Sequence, residues 1–203
     1  RASIPAPRLT RTALAGAAEK APTLVADGIK HIADKLPEPA KSILGDDKVA
    51  EHLSKASLEV LKSLIEGKPV EALKGLGENK ELRDAVIDAA LKDKNSDFSK
   101  QVEKLGLSAD DLKSIGDGIP DAMKAIEHAA KNEWKEAALA LIDASSHAPD
   151  VAAKAIQHFA DKLPEPAKSI VGDDAVAKKL AEASPETLKA LVNGDPSGAL
   201  QHM

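Results

Sequence analysis

Two histidines recur with an acid three residues further along: His31 with Asp34, and His158 with Asp161. Residues three apart share one face of a helix, so each pair has the spacing of a histidine oriented as a general base. Neither pair has a nucleophile at a recognisable spacing. We therefore interpret both pairs as ordinary electrostatics near a helix end and predict no enzymatic activity. An enzyme that uses His31 or His158 is the weakest hypothesis.

Patterns that would bind a metal or a cofactor are equally weak. A repeated Gly-Asp-Asp, at residues 45–47 and 172–174, offers adjacent carboxylates, but two acids supply too few oxygens for a calcium ion. We interpret these aspartates as helix N-caps. The remaining histidines show no pair four residues apart on one helix, the spacing typical of zinc sites. They are His52, His128, His147 and His202. We expect no metal and no cofactor.

The chain is poor in aromatic residues and acidic overall. Its aromatic side chains are Phe98, Trp134 and Phe159, too few for platforms on which bases or sugars stack. The formal net charge is −5; residues 1–20 carry +3, so residues 21–203 carry −8. This balance disfavours nucleic acid as a partner. The basic leader is the one segment suited to an acidic membrane surface.

An internal repeat dominates the chain. Residues 21–76 align without a gap on residues 148–203, with 32 identities in 56 positions. The eleven residues from Ala33 to Ile43 recur unchanged from Ala160 to Ile170. We interpret the repeat as a duplication and call the two segments copy 1 and copy 2.

Four parts follow from this repeat. They are a flexible basic leader at 1–20, copy 1 at 21–76, a helical bridge at 77–147, and copy 2 at 148–203. The bridge contains a degenerate third copy that begins at Ser108. We expect one continuous helical body, and we expect the polypeptide to continue beyond residue 203, because copy 2 stops where copy 1 runs on.

Prolines, serines and glycines predict the helix boundaries. Pro22 and Pro149 lie at predicted helix starts, and the first helix of copy 1 is predicted to end at Leu36. The longest predicted helix runs from Pro120 to Ser145, with Trp134 as a core anchor. The predicted N-caps and helix ends are Ser57, Ser108 and Ser184, and Gly67, Gly118 and Gly194. The predicted class is all-α, an irregular array of short helices.

A stiff proline corner separates two helices in each copy and is the candidate binding surface. Proline on both sides of a glutamate, followed by a lysine, gives an extended edge with paired charges. The same prolines would also serve a purely structural corner, and the sequence leaves both interpretations open. The candidate partner-binding residues are Pro37, Glu38, Pro39 and Lys41, and Pro164, Glu165, Pro166 and Lys168.

Function is predicted from these patterns together. We expect a non-enzymatic interaction or scaffold module, with a protein as its partner, within a longer exported bacterial polypeptide. Two alternatives stay open: a helical delivery or translocation segment of a toxin or secreted effector, and a carrier of lipids or small apolar ligands.

The longest apolar stretch, Ala137 to Ile142, is far too short to span a bilayer. Cysteine is absent, so no disulfide or thiolate chemistry is expected.

Overall fold

The computed structural model describes residues 28–29, 31–77, 79–146, 148–173, 176, 179–180 and 182–201. Over this part of the chain the backbone forms helices and turns and no strand, which confirms the predicted all-α class. None of the helices found there combines the length and the apolar character that a bilayer-spanning helix needs.

The chain divides into two compact units, unit 1 from Arg1 to Asp93 and unit 2 from Lys94 to Met203. The boundary falls within the segment predicted as a bridge. The helices of unit 1 are α1 Ala40–Leu44, α2 Asp47–His52, α3 Leu58–Ile65, α4 Pro69–Leu76 and α5 Lys80–Lys92. Those of unit 2 are α6 Asp97–Lys104, α7 Ala109–Ile115, α8 Ile119–Ala130, α9 Trp134–Ala144, α10 Pro149–His158, α11 Ala167–Val171, α12 Pro185–Val192 and α13 Pro196–Gln201.

In unit 1 the helices of copy 1 pack together and α5 covers them. Helix α3 packs against α1 and α4, and α5 packs against α1, α2 and α4. The side chain of Asn79 caps α5 by accepting the N–H of Leu82 at 3.3 Å. The core of this unit is aliphatic: Ile43, Leu44 and Val49 are fully buried. Close packing of short aliphatic side chains thus takes the place of aromatic volume.

In unit 2 a longer helix pair supports copy 2. Helices α8 and α9 pack along each other, and α9 also packs against α10 and α12. Helices α11 and α13 each pack against α12. Trp134 at the start of α9 is half-buried and lies against Phe159, with ring centroids 5.5 Å apart and a 37° tilt. Phe159 is 1% exposed. The predicted anchor therefore sits at the edge of the core, and Phe159 is the buried ring.

The three predicted serine caps are confirmed. Each hydroxyl accepts the backbone N–H three residues ahead and satisfies one of the open donors of a helix start. The distances are 3.3 Å from Ser57 to Val60, 3.2 Å from Ser108 to Asp111, and 3.1 Å from Ser184 to Thr187. The predicted first-turn proline Pro149 also stands at a helix start. Pro22 lies outside the described residues.

The prediction of one long helix from Pro120 to Ser145 is wrong. The chain forms α8 and α9 instead, separated at Asn132, whose φ is 61°. Asn132 N–H donates to the carbonyl of Ala129 at 3.1 Å, and Glu133 N–H donates to that of His128 at 2.9 Å. This pair of bonds is a Schellman motif, which asparagine tolerates in the left-handed conformation. The apolar stripe runs through the break because both helices face one core.

Two other predicted boundaries are wrong, and one helix was not predicted. Helix α7 ends at Ile115, with Gly116 at φ 62°, and Gly118 instead has a φ of −75° in the 3-10 turn before α8. Gly118 packs so closely on the carbonyl of Ala144 that a Cβ would have no room. The first helix of copy 1 was predicted to end at Leu36. It ends earlier, because Asp34 already lies in a turn. Helix α6 follows a serine cap that the sequence analysis overlooked.

Candidate functional site

The proline corner of unit 1 is a rigid turn between two helical segments. The Glu38–Pro39 peptide bond is cis. Lys41 N–H donates to the carbonyl of Pro37 at 3.2 Å, and Ile43 N–H donates to that of Pro39 at 3.1 Å. These bonds start α1 directly from the corner.

The corner of unit 2 has the same geometry. The Glu165–Pro166 bond is also cis. Lys168 N–H donates to the carbonyl of Pro164 at 3.1 Å, and Ile170 N–H to that of Pro166 at 3.2 Å. We call the segments 37–41 and 164–168 the proline corners. Each proline corner thus contains four of the eight candidate residues.

Each corner glutamate caps the short helix that follows. Glu38 Oε2 accepts the N–H of Ser42 at 3.1 Å. Glu165 Oε2 accepts the N–H of Ser169 at 3.3 Å and its hydroxyl at 2.7 Å. The proline at the N-cap position has no side-chain acceptor, so the preceding glutamate takes over this task. The two glutamates are therefore structural as well as exposed.

The second proline of each corner packs against the end of another helix. Gly67, at φ 69°, ends α3, and a Cβ there would lie 3.0 Å from Cδ of Pro39. Gly194, at φ 73°, ends α12, and a Cβ there would lie 2.6 Å from Cδ of Pro166. Both glycines occupy the left-handed position of a Schellman motif. Glycine is needed there for its conformation and for the close approach.

Each corner also has an exposed proline and an exposed lysine whose side chains make none of these capping or packing contacts. Pro37 and Lys41 are exposed in unit 1, and Pro164 and Lys168 are exposed in unit 2. Across the described part of the chain, neither ammonium group takes part in an ion pair. The structural interpretation thus applies to the glutamate and the second proline of each corner, and the binding interpretation stays a prediction for the exposed proline and lysine.

The histidine–aspartate pairs are not assembled into a base. His31 and Asp34 are both exposed, and Asp34 lies in a turn. The ring of His158 lies against Gly106, which ends α6 at φ 68°. Asp161 pairs with its neighbour Lys162 at 3.2 Å.

The first Gly-Asp-Asp segment caps a helix, as predicted. Asp46 Oδ1 accepts the N–H of Lys48 at 3.0 Å and that of Val49 at 3.4 Å. Asp46 also pairs with Lys92 from the end of α5. Burial raises the pKa of the Asp46 carboxyl, but the bond and charge of Lys92 and the two N–H donors outweigh it and hold the pKa below its ordinary value.

A surface groove of about 490 Å³ surrounds this ion pair, and it mixes both signs of charge. Its lining residues are Asp46, Asp47, Lys48, Asp88 and Lys92. Over the described residues, no group of three or more histidine or acidic side chains is arranged to hold a metal ion. The ion pair of Lys92 and Asp46 could not be predicted from the sequence, because the two residues are 46 positions apart.

Unit 2 contains a second capping aspartate with a distant lysine. Asp111 Oδ2 accepts the N–H of Ser108 at 2.7 Å, which completes a reciprocal capping box, and pairs with Lys154 of α10 at 2.6 Å. Burial raises the pKa of Asp111, but its bonds from Lys154 and Ser108 outweigh it and lower the pKa.

No protein-family model, curated protein or solved structure matches this chain.

Proposed function

We propose that this chain is a non-enzymatic protein-interaction module that presents one binding element twice. The observation that carries the proposal is the matching pair of proline corners, which share their glutamate cap and glycine contact. Each corner presents an exposed proline and an exposed lysine four residues apart in sequence. The partner is a protein.

The corners are organised before a partner arrives. A proline ring has a fixed φ, and the glutamate cap and the glycine contact hold the turn on either side of it. A partner therefore loses little free energy to ordering this surface. The ammonium groups of Lys41 and Lys168 suit carboxylates on the partner, while Pro37 and Pro164 supply apolar contact.

Two equivalent elements in one chain make avidity the expected mode of binding. When one element is bound, the second binds at the high local concentration set by its tether. Loss of one corner should then weaken binding to a multivalent partner, and loss of both should abolish it. A partner that engages one corner at a time would instead bind a single-corner variant with the same per-site affinity as the natural chain.

The test is affinity capture with the full chain as bait, followed by titration of the captured protein. The bait variant carries Lys41→Glu and Lys168→Glu and leaves Glu38 and Glu165 in place, because these two cap helices. The matched control carries Lys62→Glu and Lys104→Glu, two exposed lysines that also lie in the last turn of a helix. Net charge and helix-end electrostatics thus change equally in both variants.

The proposal predicts a protein that the natural chain and the control retain and the corner variant loses. Single corner variants should lower affinity by about tenfold or more when the partner is multivalent. Equal retention by the corner variant and the control would contradict the proposal.

The delivery-segment and apolar-carrier hypotheses stay predictions. The carrier hypothesis is tested by mass spectrometry of apolar molecules that co-purify with the chain.

A further inference from the structure

The turn that ends α12 contains the single Asn-Gly step of the sequence, Asn193–Gly194. The other asparagines are followed by residues that carry a side chain, namely Lys80, Ser96 and Glu133. Asparagine is a chemically labile residue, and a following glycine has no Cβ to shield its backbone nitrogen from the asparagine side chain. Asn193 is also exposed, so water reaches it. These features single out Asn193 as the site of deamidation.

Deamidation at this step begins when the backbone nitrogen of Gly194 attacks Cγ of Asn193. The new C–N bond closes a five-membered imide, the bond from Cγ to the side-chain nitrogen breaks, and that nitrogen leaves as ammonia with the proton lost by Gly194. Water then hydrolyses the imide. Cleavage between Cγ and the Gly194 nitrogen gives aspartate. Cleavage between the backbone carbonyl carbon and this nitrogen gives isoaspartate, in which the main chain runs through the side chain.

The folded turn opposes this reaction. Gly194 N–H donates to the carbonyl of Leu191 at 3.0 Å, and Asp195 N–H donates to that of Ala190 at 2.8 Å. These two bonds form the Schellman motif that ends α12. Ring closure needs the Gly194 nitrogen to eclipse Cβ of Asn193, but the ψ of −7° at Asn193 turns this nitrogen away. The imide can therefore form only after the turn opens.

Opening of this turn is coupled to the proline corner of unit 2. Gly194 lies behind this corner, and a Cβ there would lie 2.6 Å from Cδ and 2.8 Å from Cγ of Pro166. Rotation about ψ of Asn193 moves Gly194 relative to α12, so the contact with Pro166 is lost in the same motion. Exposure of the reactive nitrogen and opening of the corner are thus one local event.

The equivalent turn of copy 1 lacks this chemistry. Glu66 stands in the place of Asn193, and its carboxylate pairs with the ammonium of Lys68 at 2.9 Å. The equivalent of Lys68 is Asp195, whose Oδ1 accepts the N–H of Gly198 at 2.9 Å. A carboxylate formed at position 193 would therefore have an acid where copy 1 has a lysine. It would also lie at the end of α12, where the helix dipole disfavours negative charge.

We propose that Asn193 is a modification site, which deamidates through a cyclic imide with Gly194 and thereby opens the proline corner of unit 2. Isoaspartate lengthens the main chain, so the N–H groups of Gly194 and Asp195 can no longer both reach their carbonyls. The corner of unit 1 keeps its geometry, because Glu66 cannot react in this way. Conversion leaves the chain with one ordered corner instead of two. The reaction requires no partner, so this inference does not rest on the proposed binding function.

The first experiment follows the full chain during incubation at mildly alkaline pH. Peptide mapping with mass spectrometry distinguishes asparagine, aspartate and isoaspartate at every asparagine position, and a free peptide of residues 189–198 gives the rate without the fold. We expect Asn193 to convert before the other asparagines, and about tenfold or more slowly than in the peptide, because only the open turn reacts. Asn193→Gln should stop conversion at this position, because its longer side chain would have to close a larger ring.

A matched pair of variants tests the coupling to the corner. Pro166→Ala removes the ring that packs on Gly194, and Pro39→Ala makes the same change in unit 1. Pro166→Ala should accelerate conversion of Asn193 by about threefold or more, whereas Pro39→Ala should leave it unchanged. Circular dichroism checks that both variants are folded. Urea below the unfolding transition supplies a second measure, because it should accelerate conversion of the natural chain by opening the turn.

Three outcomes would overturn the proposal. They are conversion of the natural chain at the rate of the peptide, no conversion of Asn193 in either the natural chain or Pro166→Ala, and earlier conversion of another asparagine. Equal rates in Pro166→Ala and Pro39→Ala would overturn the coupling to the corner.

The consequence for the corner is measured on the converted chain, which anion exchange separates from the natural chain by its added negative charge. Amide hydrogen exchange in residues 164–168 and 190–198 should be about tenfold or more faster in the isoaspartate form. Residues 37–41 and 63–71 should keep their rates and serve as the internal control. Unchanged exchange in residues 164–168 would show that the corner survives the modification and would overturn this consequence.

Discussion

Copy 1 and copy 2 share their sequence-local structure and differ in their burial. Both have a cis proline corner, a glutamate cap and a left-handed glycine behind the corner. Yet Ile43 is fully buried, whereas its equivalent Ile170 is partly exposed. Capping and turn geometry depend on a few neighbouring residues, so both copies reproduce them. Burial depends on which other helix packs on the surface, and in copy 1 helix α5 packs against α1, the helix that carries Ile43.

The largest expected difference concerns the isoleucine pair itself. Ile43→Ala should lower the free energy of unfolding of unit 1 by about 2–5 kcal/mol, because it leaves a cavity in a packed core. Ile170→Ala should cost unit 2 only about 1 kcal/mol, because solvent already reaches this side chain. Urea denaturation followed by circular dichroism measures both. Equal losses would show that the two faces are equally covered.

The glycines behind the corners should give the next largest effects. Gly194→Ala and Gly67→Ala should each destabilise by about 1–3 kcal/mol, because alanine is strained at these φ angles and its Cβ meets the corner proline. Gly194 should be the more sensitive, since an added Cβ there would lie 2.6 Å from Cδ of Pro166. An added Cβ on Gly67 would lie 3.0 Å from Cδ of Pro39. The control Gly116→Ala shares the positive φ but meets open space. A control that costs as much as Gly194→Ala would mean that the corner contact contributes nothing.

Removal of the Asp46 side chain should destabilise α2 and loosen α5 in unit 1. Asp46→Ala should cost about 1–2 kcal/mol, because it removes the cap of α2 and the partner of Lys92. Asp46→Asn should cost less, because asparagine caps equally well. Thiol labelling of Ile43→Cys should accelerate in the Asp46→Ala background as α5 loosens. An unchanged labelling rate would show that the ion pair has no part in holding α5.

The smallest effect is on acid stability. The pKa of Asp46 and of Asp111 is lowered in the folded chain, so their stabilisation is present above the ordinary aspartate pKa of about 4 and is lost as the pH falls through the lowered values. Lys92→Gln in unit 1 and Lys154→Gln in unit 2 should each flatten the loss of melting temperature with falling pH. A pH profile that neither substitution alters would assign the acid sensitivity to other groups.

Local features of the fold were predictable from the sequence, and long-range features were not. The cap at Ser57 follows from residues within one turn, and it was predicted correctly. The break at Asn132 was missed because the apolar stripe runs through it, although asparagine is a known helix stop. Both glutamate caps and the contact from Gly67 to Pro39 join residues whose proximity only the folded chain reveals.

The same limit applies to the candidate sites. The corners were identified as exposed edges, but the division between structural Glu38 and exposed Lys41 depends on where the helix that follows begins. The difference in burial between Ile43 and Ile170 could not be predicted, because both residues lie in identical stretches of sequence. Helix α5, which packs on the helix of Ile43, lies more than 30 residues away from Ile43 in the chain.

The most direct test compares thiol labelling of Ile43→Cys and Ile170→Cys in the unextended chain. With no other cysteine present, each variant reports one position, and labelling in denaturant normalises the intrinsic reactivities. Val49→Cys and Val176→Cys provide a second matched pair, and circular dichroism confirms that every variant is folded. We predict that positions 170 and 176 react about tenfold or more faster than positions 43 and 49, because only the latter require α5 to open. Equal rates within both pairs would contradict the account.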